Sequence, residues 1–211
     1  MLPSHYRILE ITLVLITAIC KFIFMEWLEW RLQYVVVVVV FWTLYVILRR
    51  YTQPDVFKEW GFRTDNFRDA FKTLFPIGVL LALTCFVLGW FNDSIIITWH
   101  FIPIVMIYPL WGVIQHFLLI SLTTGNLKRL QGNSARPHLA VFVSALLFAA
   151  VHYPWWWLVL ATFILAIIYG YVFLKTPNLY ALGLFHGWLG AICFFTLVGR
   201  DPYLEALNSI L

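Results

Sequence analysis

Gln115 and His116 stand side by side within Tyr108–Ser121, YPLWGVIQHFLLIS, an otherwise apolar stretch. An amide and an imidazole inside such a run are costly unless they are buried against partners or line a cavity. His152 and His186 lie in later apolar runs of the same chain. Imidazole changes charge nearest to neutral pH. Three of them with a glutamine could therefore move a proton, polarise a carbonyl or hold a divalent metal. The other histidines read differently: His100 beside Trp99 as interfacial, and His138 after Pro137 and His5 as solvent-facing.

The elements carrying these residues must turn them toward one another. Gly112, Gln115, His116 and Leu119 are three and four apart and share a helix face. Ala145, Phe148, Ala149 and His152 form a second stripe. Gly183, Gly187 and Gly190 form a lane with His186 at its edge, and such lanes let membrane helices approach closely. Counting inward at 1.5 Å per residue puts His116 and His186 roughly 10–12 Å deep and His152 about 20 Å deep, a mismatch that sequence leaves open.

Composition fixes the class. Of 211 residues, 63% are hydrophobic and 11% charged, against about 25% charged in a soluble domain. The expectation is an all-α polytopic helical bundle forming a single integral membrane domain over 1–211. A net charge of +4, tied to loops, gives no reason to expect nucleic acid. Cys20, Cys85 and Cys193 fall in separate apolar runs and read as small core residues. Arg7 and the apolar run from Ile8 could imitate a signal peptide, but Lys21–Met25 replaces a small-residue cleavage site, so a first span is expected. A span needs about 20 apolar residues. Seven are predicted, at about 8–25, 32–48, 74–91, 97–122, 139–153, 155–174 and 179–198.

With the N-terminus cytoplasmic, eleven basic residues fall on that side and only Arg31 and Arg200 on the other. This predicts a multi-pass protein, placed in the plasma membrane, with its C-terminus outside. Trp155–Trp157 reads as an aromatic belt at the outer boundary. Between spans two and three, apolar residues from Val56 to Phe75 recur at helical spacing opposite a charged face. This predicts an amphipathic helix pair on the cytoplasmic interface, broken at Gly61. Glu10 and Lys21 are the charges of span one, and Glu10 is placed near the inner boundary.

At these residues the chain resembles the CAAX protease and bacteriocin-processing family, the type II CAAX prenyl endopeptidase-like membrane proteins. That family shows Glu-Glu-x-x-x-Arg, then Phe-x-x-x-His, then His-x-x-x-Asn. Phe148-Ala-Ala-Val-His152 is similar to the second motif and His186 to the histidine of the third. The run GYVFLKTPNLYALGLFH and the segment EWGFRTDNFRDA are also similar, and the likeness spans about 57–199. The departures are Gln115 and His116 for the two glutamates, Ile120 for the arginine and Gly190 for the asparagine.

The resemblance implies a membrane endopeptidase cleaving membrane-associated peptides or proteins, prenylated ones among them. Gln115 cannot accept a proton as glutamate does, so His116 is the expected general base, with His152 and His186 polarising the carbonyl. Gln115, His116, Phe148, His152 and His186 are thus the expected site, with the bilayer as partner and no cofactor. Two alternatives stand beside this reading. One is a non-catalytic interaction protein of the same fold. The other is a metal-dependent membrane enzyme whose divalent ion is held by His116, His152 and His186.

Overall fold

The computed structural model describes residues 2–132 and 136–208. Every regular element among them is helical, because a backbone surrounded by hydrocarbon must satisfy its own polar groups. The helices are α1 (Ser4–Lys21), α2 (Arg31–Thr52), α3 (Val56–Trp60), α4 (Phe67–Phe91), α5 (Phe101–His116), α6 (Asn126–Leu130), α7 (Pro137–Ala150), α8 (Trp156–Lys175), α9 (Leu179–Cys193) and α10 (Pro202–Asn208). Wider π-helical turns continue α1 over Phe22–Trp27, join α5 to α6 over Phe117–Gly125, and continue α9 over Phe194–Val198.

Six helices are long and apolar enough to cross a membrane: Ser4–Trp27, Arg31–Thr52, Phe67–Phe91, Phe101–Leu130, Trp156–Lys175 and Leu179–Val198. The span expected at 139–153 differs. α7 has 14 residues, about 21 Å of helix against a hydrocarbon core near 30 Å. The span expected at 97–122 runs on to Leu130.

The chain divides into two compact units, Met1–Arg63 with His116–Leu179, and Thr64–Gln115 with Tyr180–Leu211. In the first, Trp60 at the end of α3 is fully buried, its ring 5.1 Å from that of Phe117 and 5.9 Å from that of Tyr45. Val56 is buried with it. The helix pair expected here is present on either side of Gly61, with one difference in its second member. α3 turns its apolar side to protein, and what was expected as the second helix is the first turns of α4. The break at Gly61 is real: φ is +87°, a Cβ there would meet the Phe173 ring at 2.9 Å, and its carbonyl accepts the Leu179 N–H at 2.8 Å.

The same unit contains a buried polar network. Glu10 is fully buried and accepts hydrogen bonds from the Tyr45 hydroxyl and the Asn126 amide, both at 2.6 Å. Arg7 donates to Asn126 Oδ1 at 3.1 Å and pairs with Glu59 at 2.8 Å. Arg49 donates to the Tyr45 hydroxyl at 3.0 Å. Glu10 is therefore held inside the protein. Burial is tolerable because both carboxylate oxygens are bonded and cations close the network.

In the second unit α9 runs antiparallel to α5 and parallel to α4. Along α5, Gly112 meets Gly183, Pro109 meets Gly187 and Tyr108 meets Gly190. A Cβ on Gly187 would lie 2.5 Å from Pro109 Cα, so the lane predicted on this helix is a true close approach. Along α4, Gly78 meets Phe185 and Gly89 meets the Thr196 backbone. Cys85 and Cys193 fall between those two levels, both as free thiols. His100 pairs with Asp201 at 2.6 Å and stacks on Tyr203. Burial opposes the charge on Asp201. The bonds from His100 and from the Leu204 and Tyr203 amides nevertheless hold its carboxyl below the usual range.

Candidate functional site

His116 is the last residue of α5, directly before the π-helical turns, and is fully buried. A π insertion re-aims the side chains around it and is common at functional positions. The wider turn is visible in Thr123, whose hydroxyl donates to the carbonyl of Leu118, five residues back, at 3.0 Å. The His116 ring lies 5.4 Å from that of Phe148 on α7 and 5.0 Å from that of Tyr169 on α8. The Phe148 ring lies 4.9 Å from that of His152, nearly edge-on. Phe148 thus sits between the two imidazoles. Its stripe partners Ala145 and Ala149 are buried as well, so small residues clear the space that the rings occupy.

The depth mismatch disappears for this pair. Fourteen residues separate His116 from the helix end at Leu130, and fifteen separate His152 from the start of α7 at Pro137. His116 lies about 20 Å from its helix end, and His152 directly follows the roughly 20 Å of α7. The sequence count ended span four eight residues too early, because Thr123–Leu130 is polar enough to read as loop.

His152 lies in the turn after α7, outside both neighbouring helices. Its Nδ1 donates to the carbonyl oxygen of Phe148 at 2.7 Å. A carbonyl only accepts, so the proton is on Nδ1 and the neutral ring presents a lone pair at Nε2. Burial pushes its proton affinity below the usual histidine range. The Phe148 carbonyl opposes that, and the Lys21 cation adds to it. Lys21 is held there by Glu26 at 2.7 Å and the Tyr153 carbonyl at 3.3 Å. A neutral His152 is therefore a base or a ligand. The sequence-derived role of carbonyl polariser does not suit it, because a lone pair cannot donate a hydrogen bond to a developing oxyanion.

Sequence reasoning missed Tyr169. Its hydroxyl is buried and has no hydrogen-bond partner among the described residues, although its ring packs against His116. A buried hydroxyl left unmatched costs about 1–3 kcal/mol, so a phenylalanine would pack there more cheaply. The only sequence signal was a tyrosine in the middle of an apolar span.

Gln115 and His186 belong to the second unit. The Gln115 amide oxygen is buried without a hydrogen-bond partner among the described residues. His186 is half-buried on α9, next to the glycine that packs on Pro109. Among the described residues no three histidine, cysteine or carboxylate side chains converge as a metal site.

Residues 97–192 match the model of the type II CAAX prenyl endopeptidase Rce1-like family. Over that stretch the chain is similar to the Rce1-like family. The matched stretch contains all five expected site residues and Tyr169. No curated protein and no solved structure matches the chain. The chain is an integral membrane protein of apolar helices.

Proposed function

We propose that this Rce1-like chain is a divergent intramembrane endopeptidase that hydrolyses peptide bonds of membrane-associated substrates, prenylated ones among them. The observation that carries the reading is the His116–Phe148–His152 cluster, with the proton of His152 fixed on Nδ1. Nε2 of His152 takes a proton from water as the water oxygen attacks the peptide carbonyl. His116 and the Tyr169 hydroxyl supply hydrogen bonds to the oxyanion that forms. His152 then returns the proton to the departing amine, so that each turnover leaves it neutral. This exchanges the roles that sequence suggested for His116 and His152. Gln115 and His186, in the second unit, take no part in this step.

One observation favours a second reading, a non-catalytic interaction protein of the same fold. Between Asp93 and Asp201 the chain contains no aspartate or glutamate, so the family's acidic base has no replacement in kind. Hydrolysis of a prenylated and an unprenylated peptide by purified wild type, His152→Ala and His116→Ala protein, with metal analysis alongside, decides between them. Turnover lost in both variants supports the peptidase. A wild type without turnover leaves the interaction protein, and bound metal in the wild type revives the metal enzyme.

The proposed topology places the N-terminus in the cytoplasm and the C-terminus outside, in the plasma membrane. The parallel course of α4 and α9 supports counting α7 as a crossing, because alternation through α5, α7 and α8 returns α9 to the direction of α4.

A further inference from the structure

α7 and α8 run antiparallel, with His138 against Tyr171, Val141 against Gly170 and Phe142 against Phe163. Beside this seam lies an open groove of about 630 Å³. Its floor and walls are Leu139, Phe142 and Ile167, and its mouth is formed by Arg136, His138 and Tyr171. Leu139, Phe142 and Tyr171 remain 40–50% exposed, so the apolar strip is open along its length. At the mouth the His138 ring nitrogen and the Tyr171 hydroxyl bond to each other at 2.5 Å.

Charge at that end is uncompensated. Arg136 immediately precedes α7, and its backbone N–H, not its guanidinium, donates to Gln131. Lys175 ends α8 one turn beyond Tyr171, on the same face and at the same end of the pair. Neither forms an ion pair among the described residues. No carboxylate occurs anywhere from Ser94 to Arg200 to approach them. The first turn of α7 adds its partial positive charge at the same place.

We infer that this groove is a binding site for an acidic phospholipid. The headgroup phosphate lies on Arg136 and Lys175, and one acyl chain lies along Leu139, Phe142 and Ile167. A soluble anion gains nothing from the apolar strip. A zwitterionic lipid brings its own cation to two unpaired cations. Only an anionic amphiphile matches both ends, as at other basic pockets between membrane helices. The site is independent of the proposed peptidase activity.

The test is native mass spectrometry of the full chain released from detergent with dioleoyl-phosphatidylglycerol, dioleoyl-phosphatidylcholine or inorganic phosphate. The expected result is preferential retention of phosphatidylglycerol. Arg136→Gln and Lys175→Gln should each weaken it about fivefold without changing phosphatidylcholine retention. Leu139→Trp, which fills the groove from an exposed position, should also displace phosphatidylglycerol, while Lys72→Gln on α4 should have no effect. Melting temperatures without lipid should match wild type in all four variants, since each changed side chain is exposed. Equal retention of the two lipids by wild type overturns the inference. So does phosphatidylglycerol binding unchanged in Arg136→Gln and Lys175→Gln, or in Leu139→Trp. Stabilisation by inorganic phosphate equal to that by phosphatidylglycerol would mean a simple anion site and overturn it too.

Discussion

Nδ1 of His152 donates to the carbonyl oxygen of Phe148, four residues earlier, at 2.7 Å. The bond uses a carbonyl in the last turn of α7, and in doing so it fixes the tautomer. The lone pair at Nε2 is thus a consequence of where α7 stops.

His152→Ala should lower turnover by 10²–10⁴-fold, on the order of 3–5 kcal/mol of barrier. In wild type, activity should fall as pH falls, with a midpoint below the ordinary histidine value of about 6.5, since burial holds the imidazole neutral. Stability should follow the same direction. The unfolded chain takes up a proton near pH 6.5 and the folded one only below it. Stability is therefore full above that value and is lost as pH drops toward the folded one. Thermal melts from pH 7.5 to 5 should show this slope in wild type and lose part of it in His152→Gln; identical slopes would refute the assignment.

Tyr169→Phe should separate function from packing. Removing an oxyanion donor typically costs 10²–10³-fold in kcat, so turnover should fall by that order. The melting temperature should hold or rise, because the variant removes a buried hydroxyl with no partner among the described residues. Full activity in Tyr169→Phe beside an inactive His116→Ala would dismiss Tyr169 alone.

Gly187→Leu should lower the melting temperature in detergent markedly, because the side chain would enter the backbone of Tyr108 and Pro109. Gly132→Leu makes the comparison. No atom of the described residues lies within 4 Å of its Cβ position, so its cost is confined to the backbone at φ +55°. An equal loss in both would mean that close approach is not what Gly187 provides.

Asn126→Ala should destabilise by about 3–5 kcal/mol, since it removes one donor from Glu10 and one acceptor from Arg7 inside the network. Glu10→Gln should cost less, because the amide keeps an acceptor for Tyr45. Chemical-denaturation midpoints rank the two. The reverse order would show that Arg7 and Glu59 hold this region without Asn126.

A reporter fused after Asn208 should be accessible from outside the cell, and one placed at Gly132 from the cytoplasm. A cytoplasmic C-terminal reporter would mean that α7 does not reverse the chain.

The sequence by itself determined the helical class, six long spans, the close approach of the α9 glycines and the Phe148–His152 motif. Each depends on a pattern read along a single helix. Hydrocarbon forces helix formation whatever the local propensity, and glycine spacing encodes its own packing face. The tertiary structure decided what depends on separate segments meeting. Glu10 and Asn126 are 116 residues apart, and nothing in either neighbourhood announces the other. Tyr169 is one aromatic among many until its ring is set against His116. The length of α7 was hidden for a related reason: no glycine or proline stands before Pro154 to mark the stop, and only the turn into α8 shows where the hydrogen-bond ladder ends. That ending left the Phe148 carbonyl to His152, and with it the position of a proton that no residue pattern could specify.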